Sequence, residues 1–276
     1  MENIILPSNI EITKGKEANQ AIFTISPCYY GYGVTLGNAL RRVLLSSLPG
    51  AAVTSLKIKG TDHEFSAIPH VLEDVIEIIL NFKQLRLKVF SDEPVKLSLR
   101  VQGEKKVTAK DISKSADVEI ANPELHLATL TNKKADFDIE IIVEQGRGYI
   151  TTEMREDQDL EVGQISIDSI FTPVKNVGFN TENIRVGQIT NYDKLILDIT
   201  TDGTITPQDA FEQAVQILLD HFNLLLEKVT IKSTNKKKTK KDTGEIKKEK
   251  SKKKKVAAKK TGTKKKSVNP SGKKDK

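Results

Sequence analysis

The sequence predicts an α+β fold that is followed by a basic segment without a core of its own. Most of the first 229 residues show the apolar alternation of β-strands, and only three stretches show the spacing of amphipathic helices. Runs of strands with a few helices are typical of α+β proteins. The composition changes abruptly after Val229, so we expect the folded body to end there.

Charge divides the chain at the same point. From Thr230 to Lys276 there are 21 lysines, no arginine and 4 acidic residues, a net charge of +17; the rest holds 23 basic and 33 acidic residues, a net charge of −10. A lysine-rich segment without aromatic rings buries too little apolar surface to offset its ordering entropy. We predict that residues 230–276 are disordered and either contact DNA phosphates non-specifically, the favoured interpretation, or act as a solubilising appendage.

The first elements are a strand and a helix. Residues Asn19–Ser26 alternate apolar and polar side chains, and Thr35–Leu48 has helical spacing. Pro49 and Gly50 end this helix. Its predicted core face holds Leu36, Ala39, Leu40, Val43, Leu44, Ser47 and Leu48.

The opposite face of the first helix carries Asn38, Arg41, Arg42 and Leu45 at positions i, i+3, i+4 and i+7. Two interpretations remain open. An apolar side chain beside arginines is a frequent composition of interface hot spots. A solvated face with a single stray leucine is equally compatible with the pattern.

A series of strands fills the middle of the chain, with one helix among them. The helix is predicted from Pro69 to Phe82, with Leu72, Val75, Ile76 and Ile79 towards the core and Glu73, Asp74 and Glu77 in solvent. The predicted strands are Ala51–Lys59, Leu85–Phe90, Val95–Val101, Val118–Ile120, Leu125–Leu130 and Phe137–Val143.

A long helix closes the body. Thr206 is placed as its N-cap, Pro207 at the first helical position and Asp209 in the first turn, and the helix is predicted to run to Val229. It is either a single core helix or packs lengthwise on the same helix of another copy. Its heptad-like apolar seam consists of Phe211, Val215, Leu218, Phe222, Leu225 and Val229.

Several function classes find no support. The glycines from Gly31 to Gly37 lack dinucleotide-binding spacing and are interpreted as turn glycines. Four histidines and the single Cys28 form no zinc motif, and no nucleophile or phosphate-loop motif occurs. We therefore expect no catalytic residue, metal, cofactor or small-molecule substrate. Without an apolar run of about 18 residues, no membrane contact is expected either.

Five segments resemble one family. GVTLGNALRRVLLSSLPG, at residues 33–50, is similar to the first helix of the α subunit of bacterial and plastid RNA polymerase. Together the matching segments cover nearly all of the first 229 residues. The others, in order, are HEFSAIPHVLEDVIEIILNFKQL (63–85), EQGRGYITTE (144–153), DSIFTPVKNVGFN (168–180) and KLILDITTDGTITPQDAFEQAV (194–215).

The resemblance implies how the chain is divided into domains and what each domain does. Residues 1–50 and 170–229 would form a discontinuous dimerisation domain, with helices on an antiparallel sheet and a β-rich insertion at 51–169. Two copies would pair through the first and last helices, and the dimer would receive the β and then the β′ subunit, where the chemistry resides. The implied dimer-interface residues are Leu36, Leu40, Phe211, Val215, Leu218, Phe222 and Leu225.

The resemblance also assigns docking residues. Arg42 and Leu45 match positions associated with β, Asn38 and Arg41 belong to the same motif, and Lys83 matches a position associated with β′. The compartment would be the cytoplasm, close to the nucleoid, or the plastid stroma.

The resemblance fails after Val229, where family members usually continue into a promoter-binding domain and this sequence continues in lysines. A free-standing dimeric nucleic-acid-binding protein with two basic arms is the alternative.

Overall fold

The computed structural model describes residues 4–61, 63–155, 161 and 163–229. Two compact units are present, Met1–Leu218 and Leu219–Lys276, and the described part of the second is the end of the last helix, 219–229. The predicted basic tail, 230–276, lies outside the described residues. Strands dominate the described chain, which confirms the predicted α+β class.

The described helices are α1 (Tyr32–Ser46), α2 (Val75–Lys83) and α3 (207–229). The described strands are β1 (Asn9–Lys14), β2 (Gln20–Cys28), β3 (Pro49–Ile58), β4 (Leu87–Val89), β5 (Val95–Gln102), β6 (Lys105–Thr108), β7 (Val118–Ile120), β8 (His126–Leu130), β9 (Asp136–Arg147), β10 (Tyr149–Ile150), β11 (Gln164–Ser166), β12 (Ser169–Ile170), β13 (Val174–Val186) and β14 (Ile189–Thr201).

An antiparallel sheet, which we call the terminal sheet, joins strands from distant parts of the sequence in the order β1-β2-β14-β13. Helix α1 and the first half of α3 pack on one face of it. Leu40 and Leu44 of α1 and Ala210 and Ala214 of α3 are buried with Phe23 and other sheet residues in one hydrophobic cluster. Residues near both ends of the described chain therefore form one sheet and the helical layer that packs on it.

A second sheet, the central sheet, has the order β5-β9-β3-β4-β7, with β11 paired to β3. Its larger hydrophobic cluster is separate from that of the terminal sheet and includes one face of α2. The central sheet uses residues 49–147 and 164–166, between the two segments that form the terminal sheet. The domain boundaries at residues 50 and 170 stay a prediction.

The predicted start and core face of α2 are corrected by the structure. The helix begins at Val75 rather than Pro69, and its buried residues are Val75, Ile78 and Phe82. Leu72 and Ile76, predicted to face the core, are 70% and 41% exposed.

The early start was wrong because residues 71–73 engage β8 instead of forming a helical turn. Val71 bridges Leu130, and the Leu72 amide donates to the Thr129 carbonyl at 3.0 Å. The Glu73 carboxylate, predicted to be solvated, accepts hydrogen bonds from the Thr129 amide at 2.6 Å and hydroxyl at 2.8 Å.

Helix α1 lies unusually close to the terminal sheet. A Cβ added at Gly37 would be 2.7 Å from Phe179 Cδ2 and 2.9 Å from Leu195 Cδ1. Gly31 is a turn glycine, as predicted, with φ of 78°. Gly33 and Gly37 are instead helical residues that permit the approach of α1 to β13 and β14, which corrects the sequence interpretation.

Gly50 makes the tightest backbone approach. It lies in β3, and a Cβ there would overlap the Phe171 carbonyl oxygen. A carbonyl fixed in the main chain cannot move aside as a side chain can, so we expect Gly50→Ala to lower the free energy of unfolding by roughly 1–3 kcal/mol. Urea unfolding at a fixed protein concentration measures the change. Gly178→Ala is the matched control, since its Cβ would meet only Asp198 Cβ at 4.0 Å; equal midpoints for the two variants would contradict the packing.

Candidate docking surfaces

The outward face of α1 carries the first group of predicted docking residues. Asn38, Arg41 and Arg42 are exposed, as predicted. Among the described residues neither guanidinium forms an ion pair, so both remain available to carboxylates or carbonyls of another molecule. The backbone carbonyl of Arg42 accepts a hydrogen bond from the Ser46 hydroxyl at 2.8 Å.

A hydrogen bond to β14 anchors the first turn of α1. The Gly33 amide donates to Asp193 Oδ2 at 3.0 Å, and Asp193 is only 6% exposed. A buried carboxylate at a helix N-terminus interacts favourably with the helix dipole. The arginines therefore project from a helix that is held rigidly on β14.

Leu45 is less exposed than the helical wheel predicts. It is half-buried and packs against the cluster that contains Leu44. A helical wheel considers the helix in isolation. In the structure, the neighbouring elements cover a wider part of the α1 surface, and this part includes Leu45. Leu45 therefore contributes to the core as well as to the border of the arginine face.

Lys83, at the end of α2, is held by an ion pair. Its Nζ lies 3.0 Å from Asp168 Oδ2, and both side chains are about three-quarters buried, with 25% and 29% exposure. The other oxygen of Asp168 accepts the Thr152 amide at 3.0 Å. The hydrogen bond from the Thr152 amide, together with the Lys83 ammonium, lowers the pKa of Asp168.

The Asp168 arrangement predicts a component of acid sensitivity. A folded-state pKa below the unfolded value of about 3.9 means that the interaction stabilises the protein above that pH and is lost as pH falls through the folded value. We expect Asp168→Asn to lower stability at neutral pH and to make unfolding free energy less steeply pH-dependent below about pH 4. Urea unfolding across this range tests it, with exposed Asp92→Asn as control; identical slopes for wild type and Asp168→Asn would contradict it.

An apolar stripe on α2, which sequence analysis assigned partly to the core, lies beside Lys83. Ile76 and Leu80 are 41% and 51% exposed, and their spacing of four residues places them on one side of the helix; Leu72, which is 70% exposed, precedes the helix. Counting apolar residues alone could not separate this stripe from the buried one. The buried and the exposed residues of α2 both have helical spacing. Which of them is buried depends on the rotation of the helix about its axis relative to the central sheet.

Most predicted dimer-interface residues contact their own chain. Phe211 stacks on Phe23 with ring centroids 4.6 Å apart and planes 16° apart. Val215 and Leu218 are half-buried against the same cluster, and Leu40 is 5% exposed. These side chains stabilise the terminal sheet and its helices directly.

The other three predicted dimer-interface residues differ in exposure. Leu36 is half-buried against the cluster around Ile25. Phe222 and Leu225, in the described part of the second unit, are 62% and 59% exposed. The apolar seam of α3 therefore divides into a covered first half and an exposed end.

Two further observations concern sites of other kinds. In the described part of the chain, no group of three or more His, Cys, Asp or Glu side chains could hold a metal ion. No helix within the described ranges has both the length and the apolar character needed to cross a membrane.

Comparisons with known proteins agree with the sequence resemblance. The family model described as RNA polymerase Rpb3/RpoA insert domain matches residues 56–172. The chain is 52% identical over 204 residues to a DNA-directed RNA polymerase subunit alpha of Oceanobacillus iheyensis, covering 74% of this chain and 65% of that protein. The corresponding protein of Symbiobacterium thermophilum is also 52% identical over 204 residues, covering 74% and 64%.

The chain thus spans slightly less than two thirds of the length of these curated relatives. The matched insert-domain segment includes β4 to β12 and the last three residues of β3, which belong to the central sheet and the neighbouring two-stranded sheets. The insert-domain match, the identity and the helix motif agree: this chain carries a segment that matches the RNA polymerase Rpb3/RpoA insert domain and is similar over 204 residues to α subunits of DNA-directed RNA polymerase.

Proposed function

We propose that the chain is a non-catalytic subunit of DNA-directed RNA polymerase that forms a homodimer and starts assembly by docking the β and β′ subunits. The observation that carries this proposal is the face of α1. Its two arginines are exposed, form no ion pair among the described residues and project from a helix anchored on β14. Arginine beside a partly apolar border is the composition that many interface hot spots share.

The β subunit is assigned to the face formed by Asn38, Arg41, Arg42 and Leu45. Because Leu45 is half-buried, the arginines supply most of the polar recognition, and Leu45 supplies apolar contact at the border. Guanidinium groups can bind a carboxylate through two parallel hydrogen bonds, which fixes orientation as well as affinity.

The β′ subunit is assigned to the side of α2 that ends in Lys83. Asp168 fixes the position of the Lys83 ammonium, and Ile76 and Leu80 form an exposed apolar stripe along the helix, with the exposed Leu72 just before its first turn. A stripe of this kind, next to a positioned charge, provides desolvated area and a polar contact for a large partner. The stripe adds to the surface that sequence analysis assigned to Lys83 alone.

Co-expression with β and β′ tests the assembly role. We expect a complex that stays intact at high salt, because apolar burial and buried ion pairs are screened less than contacts between exposed charges. The alternative, a free-standing nucleic-acid-binding protein with basic arms, predicts instead that the chain purifies without these subunits and binds DNA only at low salt. That result would overturn the assembly proposal.

The lysine-rich tail is proposed to contact DNA without reading sequence. The contrast between +17 in residues 230–276 and −10 in the rest supports this, because lysines that neutralise phosphates release counterions. The tail contains no arginine or aromatic ring for base readout or stacking.

Removal of residues 230–276 is therefore expected to weaken DNA binding at low salt by roughly tenfold or more and to flatten the dependence of affinity on salt. Fluorescence anisotropy with a DNA duplex at several salt concentrations measures both quantities. A tail of equal length with glutamine in place of lysine is the matched control. Unchanged affinity in the truncated protein would leave the tail only a solubilising role.

A further inference from the structure

Strand β7 is an open edge of the central sheet. It pairs with β4 on one side, and no other strand of the described chain pairs with it. The Asp117 carbonyl accepts a hydrogen bond from the Phe90 amide, next to β4, at 2.9 Å. Because the hydrogen-bonding groups of an antiparallel strand alternate in direction, the amides and carbonyls of Val118 and Ile120 point away from β4. These groups can pair with a strand that is added at this edge.

Val118 and Ile120 also bring the core face of the sheet to this edge. The register places Val118 opposite Val89 and Ile120 opposite Leu87. Residues directly opposite in such a pair share a face of the sheet. Val89 and Leu87 are 7% and 1% exposed, whereas Val118 and Ile120 are half-buried. The apolar face of the sheet is therefore only partly covered at β7.

A groove of about 630 Å³ adjoins this edge. Leu97 of β5 lines it together with Val118 and Ile120, although β5 and β7 are the first and last strands in the order of the sheet. The sheet therefore curves until its two edges reach the same groove. Phe90, which is 60% exposed, and Ile112, which is buried, add apolar surface. A strand edge beside an apolar floor is an arrangement that accepts an extended peptide.

The groove also presents a lysine without an ionic partner. Its charged lining residues are Lys110, Lys114 and Glu119. Lys110 forms an ion pair with Glu124, whereas Lys114 is exposed and forms no ion pair among the described residues. Glu119 lies opposite Lys88 on the other face of β7. An acidic side chain on the bound segment would therefore complement Lys114.

We propose that this groove binds an extended segment of a third protein, other than the β and β′ subunits, which adds a strand to β7. The segment carries apolar residues at alternate positions, which face the groove, and an acidic residue that reaches Lys114. The inference goes beyond the proposed assembly role, because the surfaces assigned to β and β′ contain no residue of this groove.

A second copy of the chain is a poorer occupant of this edge. When two β7 strands pair antiparallel with their apolar residues matched, the two copies of Glu119 lie directly opposite each other. Like charges in this position destabilise a strand pair. A segment from another protein, with its acidic residue placed towards Lys114, avoids this repulsion.

Binding of a synthetic peptide to the full-length protein tests the proposal. The peptide has valine at alternate positions with threonine and aspartate between them, and a peptide of the same composition without the alternation is the control. We expect fluorescence anisotropy to show roughly tenfold or tighter binding of the alternating peptide relative to the control. Equal affinities of the two peptides, or no binding of either, would overturn the proposal.

Amide hydrogen exchange, measured by NMR, distinguishes an added strand from apolar contact alone. With the alternating peptide bound, exchange at Val118 and Ile120 should slow roughly tenfold or more, because their amides become hydrogen-bonded. The Glu119 amide already faces β4 in the free protein, so its exchange should change little. Unchanged exchange at Val118 and Ile120 would overturn the addition of a strand to β7.

Reversing the charge of Lys114 tests both the acidic contact and the assignment to a third protein. We expect Lys114→Glu to weaken binding of the alternating peptide roughly fivefold. Lys106→Glu is the matched control, because Lys106 is exposed and does not line the groove, and it should leave the affinity unchanged. Equal affinities of the two variants would overturn the acidic contact. Both variants should still assemble with β and β′, and loss of assembly in Lys114→Glu alone would overturn the assignment to a third protein.

Discussion

Replacing Arg42 by alanine will leave a folded protein that captures the β subunit at least about thirtyfold more weakly, the effect of losing a hot spot of roughly 2 kcal/mol. The side chain is exposed and takes no part in any of the three hydrophobic clusters, so stability should be nearly unchanged. Its guanidinium would be the group lost from the interface. Affinity is measured with purified β subunit, and folding by circular dichroism.

Two further variants are compared with Arg42→Ala. Arg100→Ala removes an exposed arginine of the central sheet, paired with Asp138, and should leave capture of β unchanged. Leu45→Ala should weaken capture and also lower stability, because Leu45 packs against the core. Unfolding of Arg42→Ala, or its normal capture of β, would contradict the assignment of this face.

The second large effect is expected at the exposed end of α3. Phe222→Asp combined with Leu225→Asp should convert the dimer to a monomer, raising its dissociation constant by roughly a hundredfold or more. Two apolar side chains that a partner would cover are replaced by carboxylates that must stay hydrated. Size-exclusion chromatography with light scattering at several protein concentrations gives the mass.

Asn223→Asp is the control for this pair, since it adds negative charge to the same turn at an exposed position outside the apolar stripe. A double variant that remains dimeric at low protein concentration would show that the end of α3 is not part of the interface. Loss of dimer in both Asn223→Asp and the double variant would point to charge rather than apolar contact.

The sequence predicts the two helices with strong local signals best. In α3, Thr206 Oγ1 accepts a hydrogen bond from the Asp209 amide at 3.2 Å, as expected for an N-cap, and the described chain is helical through its last residue, Val229. Proline at the first helical position adds a local signal that does not depend on tertiary contacts. The exposed arginines of α1 were predicted for a similar reason, since periodicity alone assigns them to one side.

What the sequence did not predict depends on contacts between distant residues. Strand β1 was missed because all of its residues are exposed, so burial imposes no clear alternation on it. The long β13–β14 hairpin was missed as well, although it pairs along most of its length. In β13 the core-facing residues are interrupted by asparagine, glycine and threonine, which weakens the period of two.

In the candidate docking surfaces too, local features could be predicted from the sequence, whereas contacts between distant residues could not. The charge of Lys83 is visible in the sequence, but its fixed position depends on Asp168, 85 residues away. Leu72 and Ile76 were assigned to the core from the helical spacing of a helix that was predicted to begin at Pro69. The helix begins at Val75 instead, and Glu73 before it binds Thr129 of β8. Exposure of apolar residues on a helix of this kind becomes evident only once the helix is placed on its sheet.

Native mass spectrometry of the assembled polymerase tests the central claim most directly, because it counts the copies of each chain. If this chain is a dimeric assembly platform, the complex formed with β and β′ will contain two copies of it and one of each large subunit. A complex with a single copy, or failure of the intact chain to associate with β and β′, would contradict the account.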